Sequence, residues 1–262
     1  MYKIETLAQY NQLITQSKAK KQLFTNNFLM ASNLEKLINS NQIFAHNDEH
    51  SLLFLVEEEN IFRCYYHAHD NATLELQPSA KPIVVEEIYL EKNGLSEFAD
   101  NILKRSGFTH FRTTLMLKLD SKDISFVEHH YDFAVQNDFD QLKELIYMYF
   151  DPRADFIPTD DELVQAIKNN QIIVIRKQSR LAAFFYYEFK GKKMIHRLSA
   201  VHEDFRNCHL GQELLQSSIM IGANNAVQTF EGWINSQNKA SLAMYQKHSF
   251  EFTGRCAAEY VL

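Results

Sequence analysis

Arg206-Asn207-Cys208-His209-Leu210-Gly211-Gln212 is a short polar turn between an apolar strand pattern ending at Val201 and a helical run that opens near Gly211. Such a turn leaves backbone N–H groups unpaired at a helix N-terminus. The helix dipole favours negative charge there as well, so the segment is a ready anion site. A second cluster follows at Asn238, which heads another helical stretch, with Tyr245 seven residues on and Ser249-Phe250 closing it. A phenol can protonate a departing group; the alternative for Tyr245 is an aromatic packed against a sheet. His196 lies on the strand before the turn, and an imidazole with a free pKa near ~6.5 suits general-base work. Glu231, on the strand between the two clusters, is a second candidate base acting through water. A chain of waters with no dedicated base is the third option, and Glu203 at the turn's entrance reads as solvated.

The two clusters, in this order and about thirty residues apart, resemble the acyl-CoA-binding motifs of the GNAT acetyltransferase superfamily. The family's loop reads Gln/Arg-x-x-Gly-x-Gly/Ala; here Arg206 and Gly211 match, and His209 replaces the first glycine. The family's later motif is Asn, a Tyr seven residues on, then Gly-Phe, matched by Asn238, Tyr245 and Ser249-Phe250. The resemblance implies an α+β fold with a mixed, mostly antiparallel central sheet flanked by helices. It implies acetyl-CoA or another acyl-CoA as co-substrate, no metal, and direct acyl transfer to a primary amine on a small molecule or peptide. The pyrophosphate would be held by the backbone of Arg206, Asn207, Cys208, His209, Leu210, Gly211 and Gln212. A backbone N–H among Ser199, Ala200 and Val201 would polarise the thioester carbonyl. The pantetheine arm would enter between that strand and Gln228–Asn235, where Gly232 eases a departure from pairing. Asn238 and Ser241 would contact the arm, Tyr245 would protonate the leaving thiolate, and His196 or Glu231 would serve as base. Two other functions are carried beside this one: an aminoacyl-tRNA-dependent transferase of the double-GNAT kind, and a CoA-binding protein without catalysis.

The elements that must position these residues recur in two halves. Ser32 and Glu35 form a capping-box pattern before an apolar helical stripe, as do Thr159 and Glu162. Asn41-Gln42-Ile43 and Asn170-Gln171-Ile172 then lead into strands, and Gly107-Phe108 and Ser249-Phe250 each precede a final strand. The spacing between equivalent positions grows along the halves. The extra residues fall at Arg206–Ile221, opposite a stretch from His69 to Pro82 that carries prolines and no helical period. The expected layout is therefore two tandem GNAT-like units. Residues 1–123 would be a degenerate domain lacking the loop and helix, and 124–262 the CoA-binding domain, with the boundary in Leu119–Phe126. The terminal strand of the first half, Thr113–Leu119, is a candidate to cover an edge of the other sheet. In the second half Asp138 can cap a helix with Phe139, Leu142, Leu145, Ile146 and Tyr149 on its apolar face. The acids Asp151, Asp155, Asp160, Asp161 and Glu162, against Arg153, suggest a wall favouring a cationic acceptor.

Composition narrows the field. The net charge of −6 over 262 residues gives no basic footprint for nucleic acid, which weighs against the tRNA-dependent alternative. Lys18, Lys20 and Lys21 read as a solvated helix end. Cys64, Cys208 and Cys256 have no metal-ligand spacing, and their odd number fits a reducing cytoplasm. No apolar run suggests a secretory signal or a membrane span. A monomer and a homodimer are both compatible with the sequence.

Overall fold

The structure is a computed structural model, and it describes residues 1–18, 24–29, 31–76, 79–123 and 131–262. The first elements are β1 (Tyr2–Lys3), α1 (Leu7–Lys18), β2 (Phe24–Thr25), α2 (Ala31–Asn39), β3 (Ile43–Asn47) and β4 (Ser51–Glu57). They are followed by β5 (Phe62–Ala68), β6 (Ile83–Leu90), α3 (Glu97–Arg105) and β7 (Thr109–Asp120). Next come β8 (Asp132–Phe133), α4 (Phe139–Tyr149), α5 (Asp160–Lys168), β9 (Ile172–Lys177), β10 (Arg180–Lys190) and β11 (Lys193–Val201). The chain ends with α6 (Leu210–Asn224), β12 (Thr229–Asn235), α7 (Lys239–Lys247) and β13 (Glu251–Val261). The α+β class holds, with a mostly antiparallel mixed sheet and flanking helices.

Two compact units divide the chain as Met1–Thr113 with Arg255–Leu262, and Thr114–Gly254. This differs from a cut at residue 123, because the two last strands change places. Thr114–Asp120 of β7 pairs antiparallel with β12 in the second unit, so the expected edge-covering strand of the first half is found on a sheet of the second. Arg255–Val261 of β13 pairs with β6 in the first unit. The strand order in the first unit is β1-β3-β4-β5-β6-β13, and in the second β7-β12-β11-β10-β9-β8. Each contains one parallel neighbour pair, β5 with β6 and β11 with β12.

The two halves share several local hydrogen bonds. Asn41 and Asn170 both adopt left-handed backbone after a helix, at φ 60° and 54°. The next residues, Gln42 and Gln171, donate to Leu37 and Ala166 and accept from Glu57 and Tyr187. Gly107 and Ser249 likewise share positive φ, and Phe108 and Phe250 donate back to Leu103 and Tyr245. The Thr159–Glu162 capping box forms in both directions at the head of α5. The matching Ser32 side chain, Lys20, Lys21, Pro78 and the end of the proposed boundary segment lie outside the described residues. Between His69 and Pro82 no helix occurs among the described residues, as expected.

In the second unit α6 packs on one face of the sheet, over Phe185, Tyr187, Met194 and Phe230, while α4 and α5 cover Val174, Phe184, Tyr186 and Leu198 on the other. Gly222 sets the first contact. A Cβ there would lie 2.2 Å from Phe230 Cε1, so α6 reaches β12 only because the side chain is absent. Asp138 sits at the head of α4, but its carboxylate does not cap that helix. It accepts the Val135 N–H at 2.8 Å and pairs with Arg176, tying β9 to the helix start.

Candidate active site

The sequence places a turn before α6, and the structure shows why it can hold an anion. The 3-10 turn Glu203–Phe205 ends with Arg206 in an extended conformation, and Asn207 and His209 both have positive φ, at 62° and 60°. His209 is the N-cap of α6, with no hydrogen bond from its side chain to the helix. The left-handed conformation that a glycine would adopt freely is thus imposed on a histidine. The first bond of the ladder runs from Glu213 N–H to His209 O. Among the described residues, no acceptor faces the backbone N–H of Asn207, Cys208, His209, Leu210, Gly211 or Gln212. These donors sit at the positive end of a 15-residue helix. The loop is fastened from α4, a contact that sequence reading missed. Tyr149 Oη accepts the Glu203 N–H at 2.9 Å, and the Arg206 guanidinium lies 5.4 Å from the Tyr149 ring centroid. Tyr149 was legible only as part of an apolar stripe.

The cleft beside the loop comes from a break in pairing. β11 and β12 run in parallel register from Lys193↔Thr229 to His196↔Gly232 and then stop, although β11 continues to Val201 and β12 to Asn235. The cause is visible on the other edge of β11. The register with β10 jumps between Tyr186↔Leu198 and Tyr187↔His196, leaving Arg197 as an extra residue, and such a bulge bends and twists its strand. Arg197 then turns its guanidinium over the Phe156 ring at 3.9 Å. Ser199, Ala200 and Val201 pair with β10 on one side and line the open cleft on the other.

Tyr245 and His196 meet where the strands part. His196 Nδ1 and Tyr245 Oη are 3.2 Å apart, with exposures of 7% and 2%. A Cβ on Gly232 would lie 3.3 Å from His196 Cβ and 3.7 Å from Tyr245 Cε1, so glycine lets the pair close against β12. Phe185, Phe230 and Phe250 surround the imidazole. Burial in that shell pushes the His196 pKa down to about 3 and the Tyr245 phenol well above its ordinary value. Burial thus favours the neutral imidazole beside Tyr245. Its Nε2 is buried without a hydrogen-bond partner.

Glu231 alternates with Phe230 and Gly232, so it points to the opposite face, where it is 2.6 Å from Lys193 Nζ. The structure does not bring it to Tyr245. Asn238 caps α7 through Oδ1, accepting the Ser241 N–H at 3.0 Å, and its residue is exposed. The acids of the α4–α5 connection are largely engaged. Arg153 pairs with Asp151, Lys143 with Asp160, and Asp155 accepts the Asp151 N–H. No cluster of three metal-binding side chains occurs among the described residues, and no helix there is long and apolar enough to cross a membrane.

Residues 137–250 match the acetyltransferase (GNAT) family. The match lies wholly within the second unit and marks it as a GNAT-type acyltransferase domain. The chain's fold is shared with a GCN5-related N-acetyltransferase from Sphaerobacter thermophilus, with a TM-score of 0.58 and 10% identity over 87% of this chain and 84% of that one. A GNAT-family acetyltransferase from Colwellia psychrerythraea aligns over 99% of this chain and 98% of its own, with a TM-score of 0.54 and 11% identity. A putative GNAT acetyltransferase from Novosphingobium aromaticivorans DSM 12444 gives 0.55 and 14% over 85% and 92%. No curated protein matches the sequence.

Proposed function

We propose that the protein transfers an acetyl or other acyl group from coenzyme A to a primary amine, with the second unit as the catalytic domain. The observation that carries this reading is the meeting of three features in one unit: the six unpaired N–H groups at the head of α6, the cleft between β11 and β12, and the Tyr245–His196 pair at its apex. Oriented backbone donors at a helix head suit a pyrophosphate. The unpaired edge Ser199–Val201 suits an extended arm with amide groups, and an N–H there can stabilise the oxyanion that forms on the thioester carbonyl.

Tyr245 is the proton donor to the sulfur as the C–S bond breaks. Of the two His196 tautomers, the one protonated on Nδ1 donates to Tyr245 Oη and leaves the phenol's own proton free to give. In that form the orphaned Nε2 is a bare lone pair rather than an unpaired N–H. The phenolate left behind takes a strengthened hydrogen bond from Nδ1–H, and the proton lost by the attacking nitrogen restores it through water. His196 thus positions and polarises Tyr245, and the amine loses its proton to water rather than to a dedicated side chain. Asn238 and Ser241 border the arm through the α7 cap, and Gly211 presents backbone to the phosphates.

The test is release of free thiol from acetyl-CoA across a panel of primary amines. Amine-dependent release supports the proposal. Tight acetyl-CoA binding with no release on any amine would favour a CoA-binding protein without catalysis.

A further inference from the structure

The first unit has its own parting of parallel strands. β5 and β6 pair only at Phe62↔Ile83 and Arg63↔Val84, though β5 runs on to Ala68 and β6 to Leu90. Unlike its counterpart, this gap is filled. β2 pairs with β5 at Phe24↔Ala68 and Thr25↔His67, while β4 holds the other edge of the same residues. The next residue, Asn26, is 2% exposed and spans the gap with its side-chain amide. Its Oδ1 accepts the Tyr66 N–H at 2.7 Å, and its Nδ2 donates to Cys64 O on β5 and Glu86 O on β6, each at 3.3 Å. Asn27 fastens the segment further, donating to Tyr10 Oη at 2.8 Å and lying 3.1 Å from His67 Nε2. At the other end the Phe24 ring stacks on Phe98.

We infer that residues 24–29 are a built-in ligand for the first unit. They occupy the slot between parting strands that in the second unit stays open, and Asn26 supplies the amide that an extended, amide-bearing arm would otherwise bring. An amide is the right filler. One acceptor and one donor in a plane meet the N–H of one strand and the carbonyls of both, and buried backbone groups left unmet would each cost stability. The rest of the unit agrees with a slot that no longer serves chemistry. By the matched bonds, Leu103 stands where Tyr245 does, and Phe62, opposite Glu57, stands where His196 faces Tyr187. The register between β4 and β5 runs without the bulge that Arg197 makes. The statement about the open slot rests on the proposed cofactor site, whereas the plug stands on its own bonds.

The test reads the Tyr66 amide by hydrogen exchange in the full chain, with and without millimolar pantetheine, an extended diamide. In the wild type this amide should be protected and indifferent to pantetheine. Asn26→Ala should lower its protection at least tenfold, and pantetheine should restore part of it. Phe24→Ala, which removes no buried polar group, should lower it about threefold and keeps the test open if the first variant does not fold. Unchanged Tyr66 protection in both variants would overturn the plug, as would a pantetheine effect in the wild type equal to that in Asn26→Ala. Failure of pantetheine to protect the variant would overturn the class of arm assigned to the slot. Exchange at Asn207–Gln212 with acetyl-CoA is read in the same samples, so failure of the cofactor site is seen separately.

Discussion

Tyr245 and His196 stand 49 residues apart in the chain and 3.2 Å apart at their polar atoms. Each was legible as a candidate from its own local pattern, but their partnership was not, because it depends on the packing of α7 over β11 and on a glycine at Gly232. Tyr245→Phe should lower kcat about 100-fold, the scale of a lost general acid, with KM for acetyl-CoA nearly unchanged, as steady-state kinetics will show. The same change leaves His196 Nδ1 unpaired and should cost about 1 kcal/mol in chemical denaturation. The His196 pKa also fixes a sign. The unfolded chain binds this proton near ~6.5, but the folded site only near 3. Its contribution is present above pH ~6.5 and is lost as pH falls through that window toward 3. A His196→Gln variant should therefore show a shallower loss of stability with acidification, by one proton, when denaturation midpoints are compared across that range. His209 is the residue where the family pattern and this chain part. Its left-handed backbone stores strain, so His209→Gly should raise stability by up to about 1 kcal/mol and leave acetyl-CoA affinity equal or better. A loss of affinity would mean that the imidazole itself touches the cofactor.

Among elements, α6 carries the most consequence. Its start was readable from the polar turn and Gly211, and its length from its apolar run. What was not readable is that Gly222, in its last turns, sets how closely the helix lies on β12, since a Cβ would meet Phe230 at 2.2 Å. Gly222→Ala should cost about 1–3 kcal/mol through overpacking, seen as a lower midpoint in urea, and should weaken acetyl-CoA binding by shifting the N-terminal donors. The bulge at Arg197 escaped sequence reading for a different reason. A bulge is a property of two strands in register, and β11 alone shows only a run of alternating residues broken by an arginine. The strands themselves were legible, because period-2 patterns and flanking turns mark them locally. Glu231 shows the limit from the other side: its strand was read correctly, but the face it points to depends on where pairing begins.

At the scale of the molecule, the halves were visible as short matched words, and at the Asn-Gln-Ile and Gly/Ser-Phe matches both units make the same backbone hydrogen bonds. The exchange of final strands was half visible. Thr113–Leu119 was expected to cover another sheet's edge, but the return of Arg255–Val261 to the first unit was not, since identical strand patterns do not say which sheet they join. One cofactor site per chain is expected, so calorimetric titration with a non-hydrolysable acetyl-CoA analogue should give a stoichiometry of one. At about 100 times the dissociation constant, that ligand should add about 2.7 kcal/mol of stability. Hydrogen exchange with and without acetyl-CoA tests the cofactor site at the level of single amides. Slowed exchange confined to the amides of Asn207–Gln212 and Ser199–Val201, with Arg63–Ala68 unchanged, is the result predicted. No change at Asn207–Gln212 under saturating acetyl-CoA, or protection appearing at Arg63–Ala68 instead, would contradict it.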